Sequence, residues 1–269
     1  MQAITNDTNV KVYTLAVNYI QSLAEERGID IEKYYIVDEH VCENLTDIYI
    51  QFISSAQNYQ RMPKVINFNG RKDEIQQILF DFDYKQIRGL DTEELYQTLR
   101  NRFDAGGADN KFNSWHKWSR SVVDSAKFLC DFKDADDFKE FVKCFDYNVS
   151  TRMALPLLIS EKISGIGFAL ACDLLKELGF TDYPKPDVHL IEIFSALGLS
   201  EDDPISTFEA IVRMSDICEE VDPTATPFKV DKVFWLIGSG RFHKETPEIT
   251  IGRHKEEFIQ MAKRELDIA

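Results

Sequence analysis

The residues best equipped for chemistry lie in one stretch, 158 to 199, which reads LISEKISGIGFALACDLLKELGFTDYPKPDVHLIEIFSALGL. Its carboxylate of interest is Asp187, in Lys185-Pro186-Asp187-Val188-His189, immediately ahead of an apolar run. An aspartate that follows a proline and precedes a helix is a natural N-cap. A fixed carboxylate can also stabilise developing positive charge or orient an attacking water. The two roles are compatible, because the bonds of a cap help keep the carboxylate ionised.

Upstream, an apolar helix ends in Ile163-Ser164-Gly165-Ile166-Gly167 and a second begins at once, with Ala169, Ala171, Leu174 and Leu175. Two glycines one residue apart let the backbone turn tightly, approach another surface closely and point the first N–H groups of the new helix outward. Such a helix start attracts a phosphate. The simpler reading is an ordinary helix–helix corner with glycine caps. Lys162 and Lys185 read as solvated lysines. Tyr59, Trp115 and Trp118 are candidates to stack on a base; the two tryptophans stand three apart in a basic helix and share a face, which suits a core equally well. His116 and His189 read as structural, and no His, Asp, Glu or Cys group has metal-ligand spacing.

Helices must position all of this. Apolar residues recur at helical spacing in Val10, Tyr13, Val17, Ile20 and Ala24, with Gly28 as a stop. The same spacing predicts helices near 40–56, 73–82, 91–102, 114–129, 135–146, 152–163, 168–178, 187–197, 205–220, 228–238 and 252–266. No stretch shows the alternation of a half-buried strand. Loose connections are expected at 61–70, 104–113 and 222–227, and no clean linker divides the chain.

The composition, 44% hydrophobic and 12% aromatic over 269 residues, suits a full core in one large domain or two interleaved lobes. Cys42, Cys130, Cys144, Cys172 and Cys218 are odd in number and widely spaced, so neither a disulfide framework nor a zinc knuckle is indicated and a reducing, cytoplasmic home is expected. Neither a secretory leader nor a membrane span is expected. A net charge of −15 argues against DNA binding by bulk electrostatics. The charge is uneven, however: 57–72 carries Arg61, Lys64, Arg71 and Lys72 without an acid, and 111–127 carries Lys111, Lys117, Arg120 and Lys127 against Asp124 alone. Patches of this kind can hold a short stretch of DNA.

The hairpin resembles the helix-hairpin-helix signature in Ile163, Gly165, Ile166, Gly167 and Ala171. About 20 residues later, Asp187 and His189 keep the spacing of the V-D-x-H that closes the loop of the helix-hairpin-helix DNA glycosylase superfamily, with Pro186 in the Val position. Phe52-Ile53-Ser54-Ser55-Ala56-Gln57 is similar to its L-L-S-A-Q segment, and Trp235-Leu236-Ile237-Gly238-Ser239-Gly240-Arg241 to its late helix ending in G-R-x-C. The resemblance spans about 50 to 243 in scattered blocks and is specific only from Ile163 to His189.

The resemblance implies an all-α fold of two helical lobes, with the hairpin motif in one of them and an active-site cleft between the two. The expected division is 36–198, containing the hairpin at 158–179, and 1–35 with 199–269. It implies that Asp187 is catalytic, and that double-stranded DNA is held by Ser164, Gly165, Ile166, Gly167, Ala169, Lys185 and Arg241. Gln57 would fill the hole left by a flipped base, and Tyr59, Trp115 and Trp118 would line the base pocket. A monovalent cation at the hairpin carbonyls is part of the same inheritance. Members that also cut the strand carry a lysine where this chain has Ala169, so a monofunctional enzyme is expected. A monomer is expected as well. The Cys position of G-R-x-C holds His243 and no Cys follows, so no iron–sulfur cluster is expected.

Two other classes compete. One is a hairpin module that holds DNA without cleaving it; the other is an interaction scaffold whose acidic faces bind a protein. The base itself is not legible. Residues 84–147 match no block of the superfamily and are expected to be an insertion that reshapes the pocket, which admits a bulky modified base, such as a glycosylated cytosine of invading phage DNA, beside alkylated, oxidised or deaminated ones.

Overall fold

The computed structural model describes residues 5–37, 42–59 and 62–266. The fold is all-α, with one two-stranded ribbon among the described residues. Helices follow in the order α1 (Asn6–Glu25), α2 (Leu45–Ala56), α3 (Met62–Ile66), α4 (Lys72–Ile78), α5 (Tyr84–Ile87), α6 (Thr92–Arg102), α7 (Ser114–Leu129), α8 (Ala135–Lys143), α9 (Val149–Lys162) and α10 (Phe168–Glu177). Then come α11 (Val188–Ala196), α12 (Pro204–Cys218), α13 (Pro227–Ser239), the strands β1 (Arg241–Phe242) and β2 (Ile249–Thr250), and α14 (Lys255–Leu266).

Local chemistry sets the ends. Asn44, Asp91, Asn113, Asp134, Asp203 and Thr226 each accept a backbone N–H of the helix they open, and Pro204 and Pro227 occupy first positions where no N–H is needed. Helix α9 starts three residues before the expected 152, because Asn148 and Thr151 form a reciprocal capping box. Helix α4 stops four residues short of the expected 82: Phe80, Asp81 and Phe82 all have φ between 50° and 60°, which no right-handed helix can contain. Within 61–70, α3 forms where a loop is expected, and residues 40, 41 and Arg61 lie outside the described residues.

The chain divides into two compact units, Met1–Glu39 with Gly179–Ala269, and His40–Leu178. The boundary therefore falls twenty residues before the expected 198, so Asp187 and α11 belong to the terminal unit. The reason is packing. Leu190, Ile193, Phe194 and Leu197 of the α11 segment are buried in one core with Val12, Ala16 and Ile20 of α1, Ile211 and Met214 of α12, and Val230, Phe234 and Ile237 of α13. Each such side chain contributes roughly 1.5–3 kcal/mol by leaving water.

In the central unit α7 is the organising helix. It packs on α2, α5 and α6, burying Trp115, Trp118, Val122 and Ala126 against partners such as Tyr49, Phe52, Tyr96 and Leu99. The Tyr49 hydroxyl donates to the Val122 carbonyl at 3.2 Å, and the Trp118 indole N–H to the Ile53 carbonyl at 2.8 Å. Helices α5, α6 and α7, within 84–147, thus supply much of this unit's core.

Candidate active site and nucleic-acid interface

The hairpin is clamped to one face of α7. Where α9 ends, the Ser164 N–H donates to Asp124 Oδ2 at 3.1 Å, and the Ser121 hydroxyl donates to the Ser164 carbonyl at 2.5 Å. Arg120 donates to the Ser164 hydroxyl at 3.2 Å. Gly165 has φ 88°, a left-handed conformation, and a Cβ there would lie 2.8 Å from Ser121 Oγ. Both demands, conformation and room, fall on the first glycine. Gly167 is the N-cap of α10 and offers no side chain to cap it, so the helix start stays open to an external acceptor.

Gly165 and Gly167 are exposed and Ile166 is buried, so of the hairpin residues assigned to DNA, Ile166 is an anchor rather than a contact. Ser164 and Ala169 are half-buried at the turn. Arg120 is exposed beside Ser164, and Lys117, one turn earlier on α7, sets its ammonium 5.5 Å from the ring centre of Tyr59. Tyr59 is 43% exposed. Hairpin, two cations and an exposed aromatic thus share one side of α7. The clamp residues Ser121 and Asp124 escape sequence reading, because they sit among Lys117, Arg120 and Lys127 on the polar side of α7 and nothing local marks them as partners of the hairpin.

In the terminal unit, Asp187 is the N-cap of α11. Its Oδ1 accepts both the His189 N–H at 2.9 Å and the Leu190 N–H at 3.3 Å. No hydrogen bond engages Oδ2 among the described residues. Burial raises the proton affinity of this carboxyl, and the charge of Asp231 raises it further; His189, Lys185 and the Leu190 amide act in the opposite direction.

Asp231 lies on α13, is 2% exposed, and accepts the Lys185 N–H at 2.8 Å through Oδ2. A tight turn, the Asp187 N–H on the Lys185 carbonyl at 2.8 Å, joins the two residues. The His189 ring packs on α13 where Gly238 leaves room: a Cβ at 238 would stand 2.5 Å from His189 Cβ. His189 Nδ1 is buried without a hydrogen-bond partner. Sequence reasoning missed both Asp231 and Gly238 in this role. An acid spaced three residues from both Phe228 and Phe234, and so on the apolar side of α13, was the available signal for the first.

Several other assignments change. Gln57 is buried at the C-terminus of α2, and its Oε1 accepts the Phe68 N–H at 3.1 Å, so it ties down the following loop instead of projecting from it. Trp115 and Trp118 are core residues and not a pocket lining: Trp115 stacks on Phe103 with ring centres 4.9 Å apart, and Trp118 spends its N–H on Ile53. Arg241 is exposed but forms a two-pronged ion pair with Glu248, at 2.7 and 3.2 Å. Its charge is therefore already matched. Lys185 is half-buried, with its amide held by Asp231. His243 lies edge-on between Tyr34 and Trp235, and burial lowers its proton affinity.

The hairpin carbonyls of Ile163, Ser164 and Gly167 each accept an internal hydrogen bond, from Ile166 N–H, Ser121 Oγ and Ala171 N–H. A monovalent cation would have to share them. No protein-family model, no curated protein and no solved structure matches the chain.

Proposed function

We propose that this chain is a monofunctional DNA glycosylase, which extrudes a damaged or modified base from duplex DNA and hydrolyses its N-glycosidic bond. The observation that carries the reading is the setting of Asp187: one carboxylate oxygen caps α11, the other is left uncommitted, and burial together with the charge of Asp231 raises its proton affinity. An exposed cap such as Asp91, which also uses a single oxygen, lacks that setting.

Base departure leaves positive charge on the deoxyribose, as in glycoside hydrolysis, and a fixed carboxylate stabilises that charge. Oδ2 of Asp187 takes this role and orients the water that attacks the sugar. The hairpin amides, with Arg120 and Lys117, hold phosphates, and Tyr59 offers a face for stacking. These interactions offset the few kcal/mol of unstacking, least for damaged or mismatched bases. Ala169 carries no amine, so the sugar is attacked by water and the product is an intact strand with an abasic site.

A gel assay on duplexes carrying alkylated, oxidised, deaminated and bulky modified bases tests this. Strand scission should appear only after alkali. Scission without alkali would refute the monofunctional assignment. A second reading, a hairpin module that holds DNA without chemistry, draws on Gln57 and Arg241 being committed inside the protein. Salt-sensitive binding with no base release from any duplex would select it.

A further inference from the structure

We propose that Asp231 is a positioning residue for Asp187: from α13 it holds the backbone of the loop that carries Asp187 and sets a second buried carboxylate against the catalytic one. The inference rests on the role given to Asp187 above.

Asp231 is 2% exposed, in a helix whose inner face is otherwise apolar. Burying a carboxylate in such a place is unfavourable unless it is bonded and has a task. Its Oδ2 accepts the Lys185 N–H at 2.8 Å, and Lys185 in turn receives the Asp187 N–H on its carbonyl at 2.8 Å. The chain from α13 to the reacting carboxylate is therefore two hydrogen bonds long. The buried rings of Pro184 and Pro186 restrict the same loop, leaving the amide of Lys185 as the donor that fixes its height above α13.

The second contribution is electrostatic. The groups that bear on Asp187 are Asp231 from α13, with Lys185 and His189 from its own segment, while Lys255 of α14 is paired with Glu192 of α11. Asp231 is the acid in this group, and it disfavours ionisation of Asp187 in the free protein. A cationic sugar reverses that balance, since two nearby carboxylates stabilise one positive charge better than one does.

The two contributions separate by substitution. Asp231→Asn keeps an oxygen to accept the Lys185 N–H and removes the charge; Asp231→Ala removes both. The Asp187 carboxyl carbon is followed by NMR against pH in the free protein, its signal identified by loss in Asp187→Asn, and duplex affinity is recorded alongside. Asp231→Asn should shift the Asp187 titration midpoint to lower pH, with duplex affinity within twofold of wild type. If base release occurs, the acid limb of its pH profile should move the same way. In Asp231→Ala, release should fall at least tenfold at every pH, and Asn at the same position should restore most of it.

An Asp187 midpoint unmoved in Asp231→Asn overturns the electrostatic part. Wild-type release by Asp231→Ala overturns the positioning part. The NMR titration needs no turnover, so it can succeed when no substrate is cut, and that combination would count against the glycosylase reading and not against the Asp187–Asp231 coupling.

Discussion

Asp187 is asked to stay half-buried beside another acid, which favours its protonated form. Folding therefore binds its proton more tightly than the unfolded chain does, and the stability associated with that proton is fully present below the ordinary value near 3.8 and lost as pH rises through the higher folded value. At neutral pH the ionised group opposes folding. Asparagine caps a helix as well as aspartate and carries no charge. Asp187→Asn should thus abolish base release while raising the Tm at pH 7, and the gain should narrow in scans at lower pH. An unchanged or lowered Tm at pH 7 would mean that the cap, not the chemistry, dictates the aspartate. At this scale the cap at Asp187 was legible, because Pro186 before it and an apolar run after it mark a helix start. The sequence was silent about Asp231, whose partner Lys185 lies 46 positions away.

At the scale of elements, the hairpin depends on a helix, α7, that matches no block of the glycosylase superfamily. Gly165 is favoured because Ser121 of α7 stands where a side chain would go, and because its φ of 88° is one that side-chain-bearing residues rarely adopt. Gly165→Ala should cost about 1–3 kcal/mol from backbone strain alone, read as a shift in the urea midpoint. It should also weaken duplex binding, and a drop in stability with binding intact would show that the hairpin does not touch DNA. Helix starts and stops were largely legible, because caps such as Asn44, Asp91, Asn113 and Asp203 are written locally. The tryptophans of α7 were ambiguous because periodicity assigns them a shared face without saying what covers it; Phe103, the Ile53 carbonyl and the α2 side chains decide that. Gln57 was misjudged for the same reason, since its bond to Phe68 closes an eleven-residue span that no local pattern marks.

For the molecule as a whole, 46 acidic residues against 31 basic ones leave a net charge of −15, so the proposed duplex binding would rest on few phosphate interactions against an unfavourable background. The slope of log affinity against log salt should accordingly be shallow. Replacing Lys117 and Arg120 together by alanine should reduce it by about 2, near 0.9 for each phosphate that is no longer neutralised. An unchanged slope would remove both residues from the interface. The core of the terminal unit is a separate matter: Phe194→Ala should cost about 3–5 kcal/mol through the cavity it opens, and Asp187 should fail with it because α11 carries both. The all-α class was evident from periodicity, whereas the division of the chain was not. Assigning α11 to the terminal unit requires knowing that its apolar face meets α1, α12 and α13, a long-range choice that spacing within the helix leaves open.

Free base released from duplex DNAs carrying a panel of modified bases, detected by mass spectrometry for wild type and for Asp187→Asn, decides whether the carboxylate does chemistry. Wild type should release one class of base, and the variant should do so at a rate at least about 10²-fold lower, the magnitude on which loss of a preorganised charge acts. Equal release by both proteins would contradict that role, because Asp187 would then be a helix cap and nothing more.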